Sequence, residues 1–306
     1  MHRNRPLPRT RPIALAASAA LAALLLNGCA TTPDPEETRD SLAEVTEEPA
    51  QPDAADEYSV ETLPEPIVEP LECLPYLVVT ARGTGEPSRG QLLSPVARAI
   101  SEARPNDTLV LDLEYPAAGE VKESSTVGVR MLIDTLNVQS EACEEQRFLL
   151  LGYSQGALVV GDALLPAEHR IVGATVGAVS DGAADRILAI VLYGDPRFVG
   201  AEPYNIGNYD HETNGLLPRS EGALGVFADR LRDYCVARDF ICQGGIDLEE
   251  PALDERGHVA YFENGMQQDG AAFAITRLDP VGDTDETAES DAAERAEEPG
   301  ETEQPE

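Results

Sequence analysis

Residues Leu149-Leu150-Leu151-Gly152-Tyr153-Ser154-Gln155-Gly156-Ala157-Leu158-Val159-Val160 decide the fold. An apolar run of strand type enters Gly-x-Ser-x-Gly, and a small-residue helical pattern leaves it, the context of a nucleophile elbow. A strand that turns sharply into a helix pushes the Ser154 side chain out at the top of a sheet. The backbone there is crowded, so Gly152 and Gly156 flank the serine where a Cβ would collide with a neighbouring strand or helix. The five-residue pattern arises by chance in many chains, and the strand and helix around it give it weight. The bland alternative is a tight strand–helix turn that happens to carry a serine.

Outward from this turn, strand and helix patterns alternate. Leu74 to Thr80 reads as a strand and runs into Ala81-Arg82-Gly83-Thr84-Gly85-Glu86-Pro87. Residues 92–103 are helical in pattern, with Pro95 near the start. Thr108 to Leu113 alternates as a strand, Tyr115-Pro116-Ala117 reads as a turn, and Ser124 to Asn137 reads as a helix. After the turn, residues 157–165 continue the helix and Pro166 closes it. Ile187 to Tyr193 is an apolar strand followed by Gly194-Asp195-Pro196-Arg197, and residues 199–222 read as a long loop. Such alternation predicts an α/β fold, a mostly parallel central sheet in a three-layer sandwich, with the functional loops on one side.

The charge is unevenly placed. The 306 residues carry a formal net charge of −34. Residues 30–72 hold fourteen acidic side chains against one arginine, and 278–306 hold twelve against one. Both flanks are poor in large apolar residues, so 29–72 is expected to be a disordered acidic tether and 278–306 a disordered tail. Residues 73–277 fit one domain with a sizeable core. The acidic balance argues against nucleic acid or an anionic surface as partner.

The first residues read as a targeting signal. Arg3, Arg5, Arg9 and Arg11 precede the apolar run Ile13 to Leu26, short for a membrane span but right for a signal peptide. The run ends in Leu26-Asn27-Gly28-Cys29, which resembles the bacterial lipobox, with Asn27 an unusual occupant. The signal would be residues 1–28, and Cys29 would carry lipid and anchor an exported protein to the membrane. The alternative is an ordinary secretory signal. The chain has five cysteines, and lipid on Cys29 leaves an even four.

A serine elbow needs a base. Of four histidines, His2 lies in the signal, His169 just past the elbow helix, and His211 in the long loop. His258 lies late, where the order Ser…Asp…His places a base; it reads as an exposed-turn histidine heading an apolar segment. Its acid is Asp239, between Cys235 and Cys242, or Asp195, after a strand; order alone leaves the two even. The cysteine pair suits a small disulfide loop better than a metal site, since it lacks companion ligands. On its residues alone, the Gly83-Thr84-Gly85 stretch fits a plain turn or an oxyanion loop.

These residues together resemble the cutinase family of small α/β-hydrolases that cleave esters of cutin and related lipids, here of an exported, actinobacterial, lipoprotein type. Ala81-Arg82-Gly83-Thr84 resembles the family's oxyanion loop, with Thr84 eleven residues after Cys73. Gly152 to Gly156 matches its elbow, with Ser154 eleven residues after Cys143. Cys235-x3-Asp239-x2-Cys242 matches its acid loop, and Gly257-His258-Val259-Ala260-Tyr261 its histidine segment.

The resemblance implies a Ser154–His258–Asp239 triad, with Asp239 chosen over Asp195. It implies an oxyanion hole of the Thr84 and Gln155 N–H groups with the Thr84 hydroxyl, and disulfides Cys73–Cys143 and Cys235–Cys242. Ester or lipid would be the substrate and no cofactor or metal is implied. Acyl transfer in the cell envelope, or surface binding without turnover, are the other functions such a chain could have. The segment from Asp239 to His258, with Asp247, Glu249, Glu250, Asp254 and Glu255, is longer and more acidic than a minimal enzyme of this type needs.

Overall fold

Three runs of the chain, Tyr76–Ala81 (β1), Arg147–Tyr153 (β3) and Ile187–Tyr193 (β4), are apolar and buried almost throughout. That is the signature of strands covered on both faces rather than one. The computed structural model describes residues 40–42, 45, 54–244 and 257–280. Within these, Thr108–Asp112 (β2), Asn205–Ile206 (β5) and Leu231–Tyr234 (β6) complete one sheet of order β2-β1-β3-β4-β6-β5. Every neighbouring pair is parallel. The register pairs Ala81 with Gly152, Tyr153 with Tyr193 and Tyr193 with Tyr234, so four strands end together at one carboxyl edge.

Alternate residues of these strands feed two cores. Leu77, Val79, Phe148, Leu150, Ile190 and Leu192 meet the helices Val121–Ala142 (α3) and Gln155–Ala163 (α4). On the other face, Val78, Leu149, Leu151 and Val191 meet Ser94–Ala103 (α2) and Met266–Ile275 (α6). This is the α/β three-layer arrangement the alternating pattern predicts. Pro95 stands in the first turn of α2, where its missing N–H costs nothing. The shorter helix Asp181–Asp185 (α5) is capped by the Ser180 hydroxyl, which accepts from the Ala183 N–H at 3.3 Å.

Two cysteine pairs join, Cys73–Cys143 and Cys235–Cys242, with Cα separations of 5.3 and 6.0 Å. The first ties the lead-in of β1 to the end of α3.

The structure corrects several expectations. α3 is longer at both ends than Ser124 to Asn137. The long loop 199–222 contains the two-residue strand β5, held at the sheet edge by β6. Residues 54–72, expected to belong to an unfolded tether, lie along α3 instead. They begin with the helical turn Ala54–Glu57 (α1), whose Ala54 N–H donates to Glu123 Oε2 at 2.5 Å. Arg130, buried in α3, donates to the carbonyls of Tyr58, Leu63 and Glu65 at 3.0, 2.9 and 2.6 Å and pairs with Asp134. Asp134 accepts from the Ile67 N–H, and Gln139 from the Leu71 N–H. The sequence stretch is acidic and poor in apolar residues, yet its main-chain groups find partners on the helix, which composition does not record.

Leu42 and Val45, further upstream, are also buried in the core beside α3. At the other end Leu278 is buried and the Asp279 N–H donates to the Tyr76 hydroxyl, so the fold runs slightly past the expected start of the tail. Cys29 with the expected signal, the acidic stretch 245–256 and residues 281–306 lie outside the described residues.

Arg130 gives this strap a test. Arg130→Ala removes a buried cation from Asp134 and three carbonyls, so it should destabilise the domain by about 3 kcal/mol or more. Urea unfolding measures the loss, and limited proteolysis should open new sites between residues 54 and 72.

Candidate active site

The site is built where β1, β3, β4 and β6 end. Ser154 follows β3 with φ 54° and ψ −119°, a left-handed conformation that a side chain rarely adopts. Its N–H donates to the Tyr193 carbonyl at 2.9 Å, and its carbonyl accepts from the N–H groups of Ala157 and Leu158. The elbow is therefore held by β4 on one side and α4 on the other. The flanking glycines are required by contact. A Cβ at Gly156 would lie 1.8 Å from the Ala81 carbonyl oxygen, and one at Gly152 would lie 2.8 Å from the Ala157 Cα.

His258 is not the exposed histidine of a turn. It is 1% exposed, with its ring stacked on Tyr153 at 5.0 Å between centroids and Phe240 beside it at 5.8 Å. The Tyr153 hydroxyl donates to the His258 carbonyl at 2.9 Å. The burial comes from the loop of Cys235 to Cys242 folding over the segment, a long-range contact that the local Gly-His turn pattern does not encode. Gly257 permits that contact, because a Cβ there would lie 1.8 Å from the Arg238 carbonyl oxygen. Gly194, at φ 58° just after β4, is fitted the same way against the His258 ring and the Asp239 carboxylate.

His258 Nε2 lies 2.8 Å from Ser154 Oγ, and its Nδ1 lies 2.8 Å from Asp239 Oδ1. Asp239 has no solvent exposure and accepts from the Tyr261 hydroxyl at 2.6 Å and the Ile241 N–H at 2.9 Å. Burial alone would push this carboxyl up. The His258 charge and the hydrogen bonds from His258, Tyr261 and Ile241 outweigh it and hold the carboxyl below its ordinary value. A carboxylate held ionised against an imidazole fixes Nδ1 as the protonated nitrogen and leaves Nε2 as the acceptor toward Ser154.

Asp195 is engaged elsewhere. It pairs with Arg219 and accepts from the Arg197 N–H at 2.9 Å, while Arg197 pairs with Asp162. Thr84 is half-buried in the loop after β1. Gly83 brings that loop against the elbow: a Cβ there would lie 2.8 Å from the Tyr153 ring and 3.3 Å from the Ser154 Cβ. Gln155 is the first residue of α4, where the helix supplies no acceptor for its N–H. Its side chain turns away and donates to the Ala118 carbonyl at 3.1 Å. Among the described residues, no group of three His, Cys, Asp or Glu side chains is arranged to hold a metal ion.

Sequence reasoning gave no part to Tyr153 or Tyr261, although both lie inside the motifs. Their signal was position: one precedes the serine, and the other follows the histidine by three residues.

A parallel sheet covered on both faces, with a serine elbow at its carboxyl edge, places the chain in the α/β-hydrolase class. Within that class it belongs to the cutinase family, whose family model, described as Cutinase, matches residues 72–278. A cutinase of Kineococcus radiotolerans is 30% identical over 204 residues, 66% of this chain. The chain spans 61% of that relative's length. The carboxylesterase Culp1 of Mycobacterium bovis is 27% identical over 215 residues, 69% of this chain and 84% of that one. Among solved structures, the catalytic core domain of acetyl xylan esterase from Trichoderma reesei aligns with a TM-score of 0.57 and 26% identity, over 68% of this chain and 100% of that one.

The Tyr261–Asp239 contact generates a prediction. Tyr261→Phe removes a donor from the buried carboxylate, so the Asp239 pKa should rise toward its ordinary value. The loss of stability should be about 1.5–3 kcal/mol at neutral pH, typical of a hydrogen bond to a charged group. Asp239 has a depressed pKa, so its contribution is present above the unfolded value and is lost as pH falls through the folded value. The gap between the two proteins in urea unfolding should therefore narrow in strong acid.

Proposed function

We propose that this chain is a serine esterase of cutinase type that hydrolyses lipid or polyester esters by way of an acyl-enzyme. The observation that carries the reading is the line from Asp239 through His258 to Ser154, with 2.8 Å at each link. Ser154 Oγ attacks the ester carbonyl while its proton passes to His258 Nε2. The C–O bond to the alcohol then breaks, and the alcohol leaves with that proton. Water, deprotonated by the same nitrogen, attacks the acyl carbon, and Ser154 is released with the carboxylic acid. Asp239 holds the ring and offsets its charge in both steps.

The Thr84 and Gln155 N–H groups, with the Thr84 hydroxyl, receive the oxyanion. One such donor is typically worth about 3 kcal/mol of barrier. The names of the relatives support the substrate class: a cutinase, a carboxylesterase and an acetyl xylan esterase are each named for an ester. Two disulfides suit an oxidising compartment, and the proposal includes export with lipid on Cys29 as the anchor.

Ser154→Ala should keep the thermal midpoint within a few degrees and abolish release of p-nitrophenol from short and medium p-nitrophenyl esters. Turnover that survives this substitution refutes the assignment. Supplying glycerol or a sugar separates hydrolysis from transfer: an ester of the added alcohol, formed at the expense of free acid, marks an acyltransferase. For the anchor, Cys29→Ala should move the protein from the membrane fraction to the soluble one, and its retention in the membrane would sink that part of the reading.

A further inference from the structure

The loop after β1 has four successive N–H groups, at Gly83, Thr84, Gly85 and Glu86. Three are bound within the loop and its surroundings. Gly83 N–H donates to the Glu86 carboxylate at 2.7 Å, Gly85 N–H to the Ala117 carbonyl at 2.8 Å, and Glu86 N–H to the Gly83 carbonyl at 3.2 Å. Among the described residues the Thr84 N–H has no acceptor.

One side chain closes this arrangement. Oε2 of Glu86 takes Gly83, and Oε1 takes the Leu92 N–H at 2.8 Å, so a single carboxylate joins the start of the loop to its end. Arg82 fixes the same segment through main-chain carbonyls. Its guanidinium donates to the carbonyls of Glu86, Leu113, Tyr115 and Pro116, and its own carbonyl accepts from the Tyr115 hydroxyl.

We propose that Glu86 is a positioning residue for ester cleavage: its carboxylate sets the Gly83–Thr84 backbone against Ser154. This rests on the esterase reading and adds to it a residue that touches neither substrate nor the reacting atoms. The geometry carries it, since Gly83 is the point where the loop abuts both Tyr153 and Ser154. Burial raises the Glu86 carboxyl, and the hydrogen bonds from Leu92 and Gly83, then the charges of His258 and Arg82, oppose the rise.

Two substitutions test the two-point hold of the Glu86 carboxylate. Glu86→Gln keeps the shape but turns an NH2 toward one of the two main-chain donors, and it removes the charge. Glu86→Asp keeps the charge and is too short to span both donors. The readout is the rate at which an alkyl p-nitrophenyl phosphonate labels Ser154, with kcat and KM for a p-nitrophenyl ester and the thermal midpoint recorded for each protein. Labelling forms the Oγ–P bond, releases p-nitrophenol and leaves a phosphoryl oxygen where the oxyanion would sit.

Both variants should label about 10- to 100-fold more slowly, up to the scale of a reacting group misplaced by about 1 Å, with kcat lowered to match, KM within about threefold and the thermal midpoint within a few degrees of the parent. A merely structural role would lower the midpoint and the folded fraction without lowering the rate constant of the folded protein. A folded Glu86→Gln protein that labels within threefold of the parent overturns the proposal. If the parent chain itself is not labelled at Ser154, the esterase reading fails and the role of Glu86 fails with it.

Discussion

The structure depends on a close approach of main chains at the elbow. The first turn of α4 presses on the last residue of β1 until a single methyl group at Gly156 would overlap the Ala81 carbonyl. That approach fixes three things together. It brings the loop after β1 beside Ser154, it points the α4 N-terminus into the same space, and it forces Ser154 into the left-handed region. A conformation of this kind costs about 1–3 kcal/mol and persists only where the surroundings over-determine it. Here they do, through the hydrogen bond from Ser154 to β4, the buried strands on both sides and the two glycines.

Around that elbow the buried charges take different partners. Asp239 and His258 are enclosed by Tyr153, Phe240 and Tyr261. Asp162, Asp195, Arg197 and Arg219 form paired ions in another group. Asp233 lies close to that group, and burial, reinforced by the Asp195 charge, pushes its carboxyl well above the ordinary range. The two aspartates that chain order left even thus stand in different environments. Asp195 has a guanidinium and an amide N–H for partners, whereas Asp239 has an imidazole, a phenol and an amide N–H.

How much of this was legible depended on the range of the interaction. β4 runs over Ile187 to Tyr193, the residues its apolar pattern marks, because burial on both faces is a local property of the sequence. The elbow, the acid loop and the histidine segment carry their chemistry in spacing, and those residues do come together. β5 has two residues and exists because β6 offers an edge, so nothing within Asn205–Ile206 could announce it. The burial of His258 depends on a loop that ends sixteen residues earlier at Cys242. Glu86 carried no signal of its own, since its partners are main-chain groups that a sequence pattern does not distinguish.

The strap over α3 was the least legible element, and its direction matters. Ala54 meets Glu123 near the helix N-terminus, Ile67 meets Asp134 further along, and Cys73 meets Cys143 at the far end. The strap therefore runs parallel to the helix, and the helix starts beside the elbow, where Gln155 reaches Ala118. Among the described residues the strap's covalent tie to the helix is at its Cys73 end, so peeling it from α3 must begin at the Ala54 end, beside the elbow.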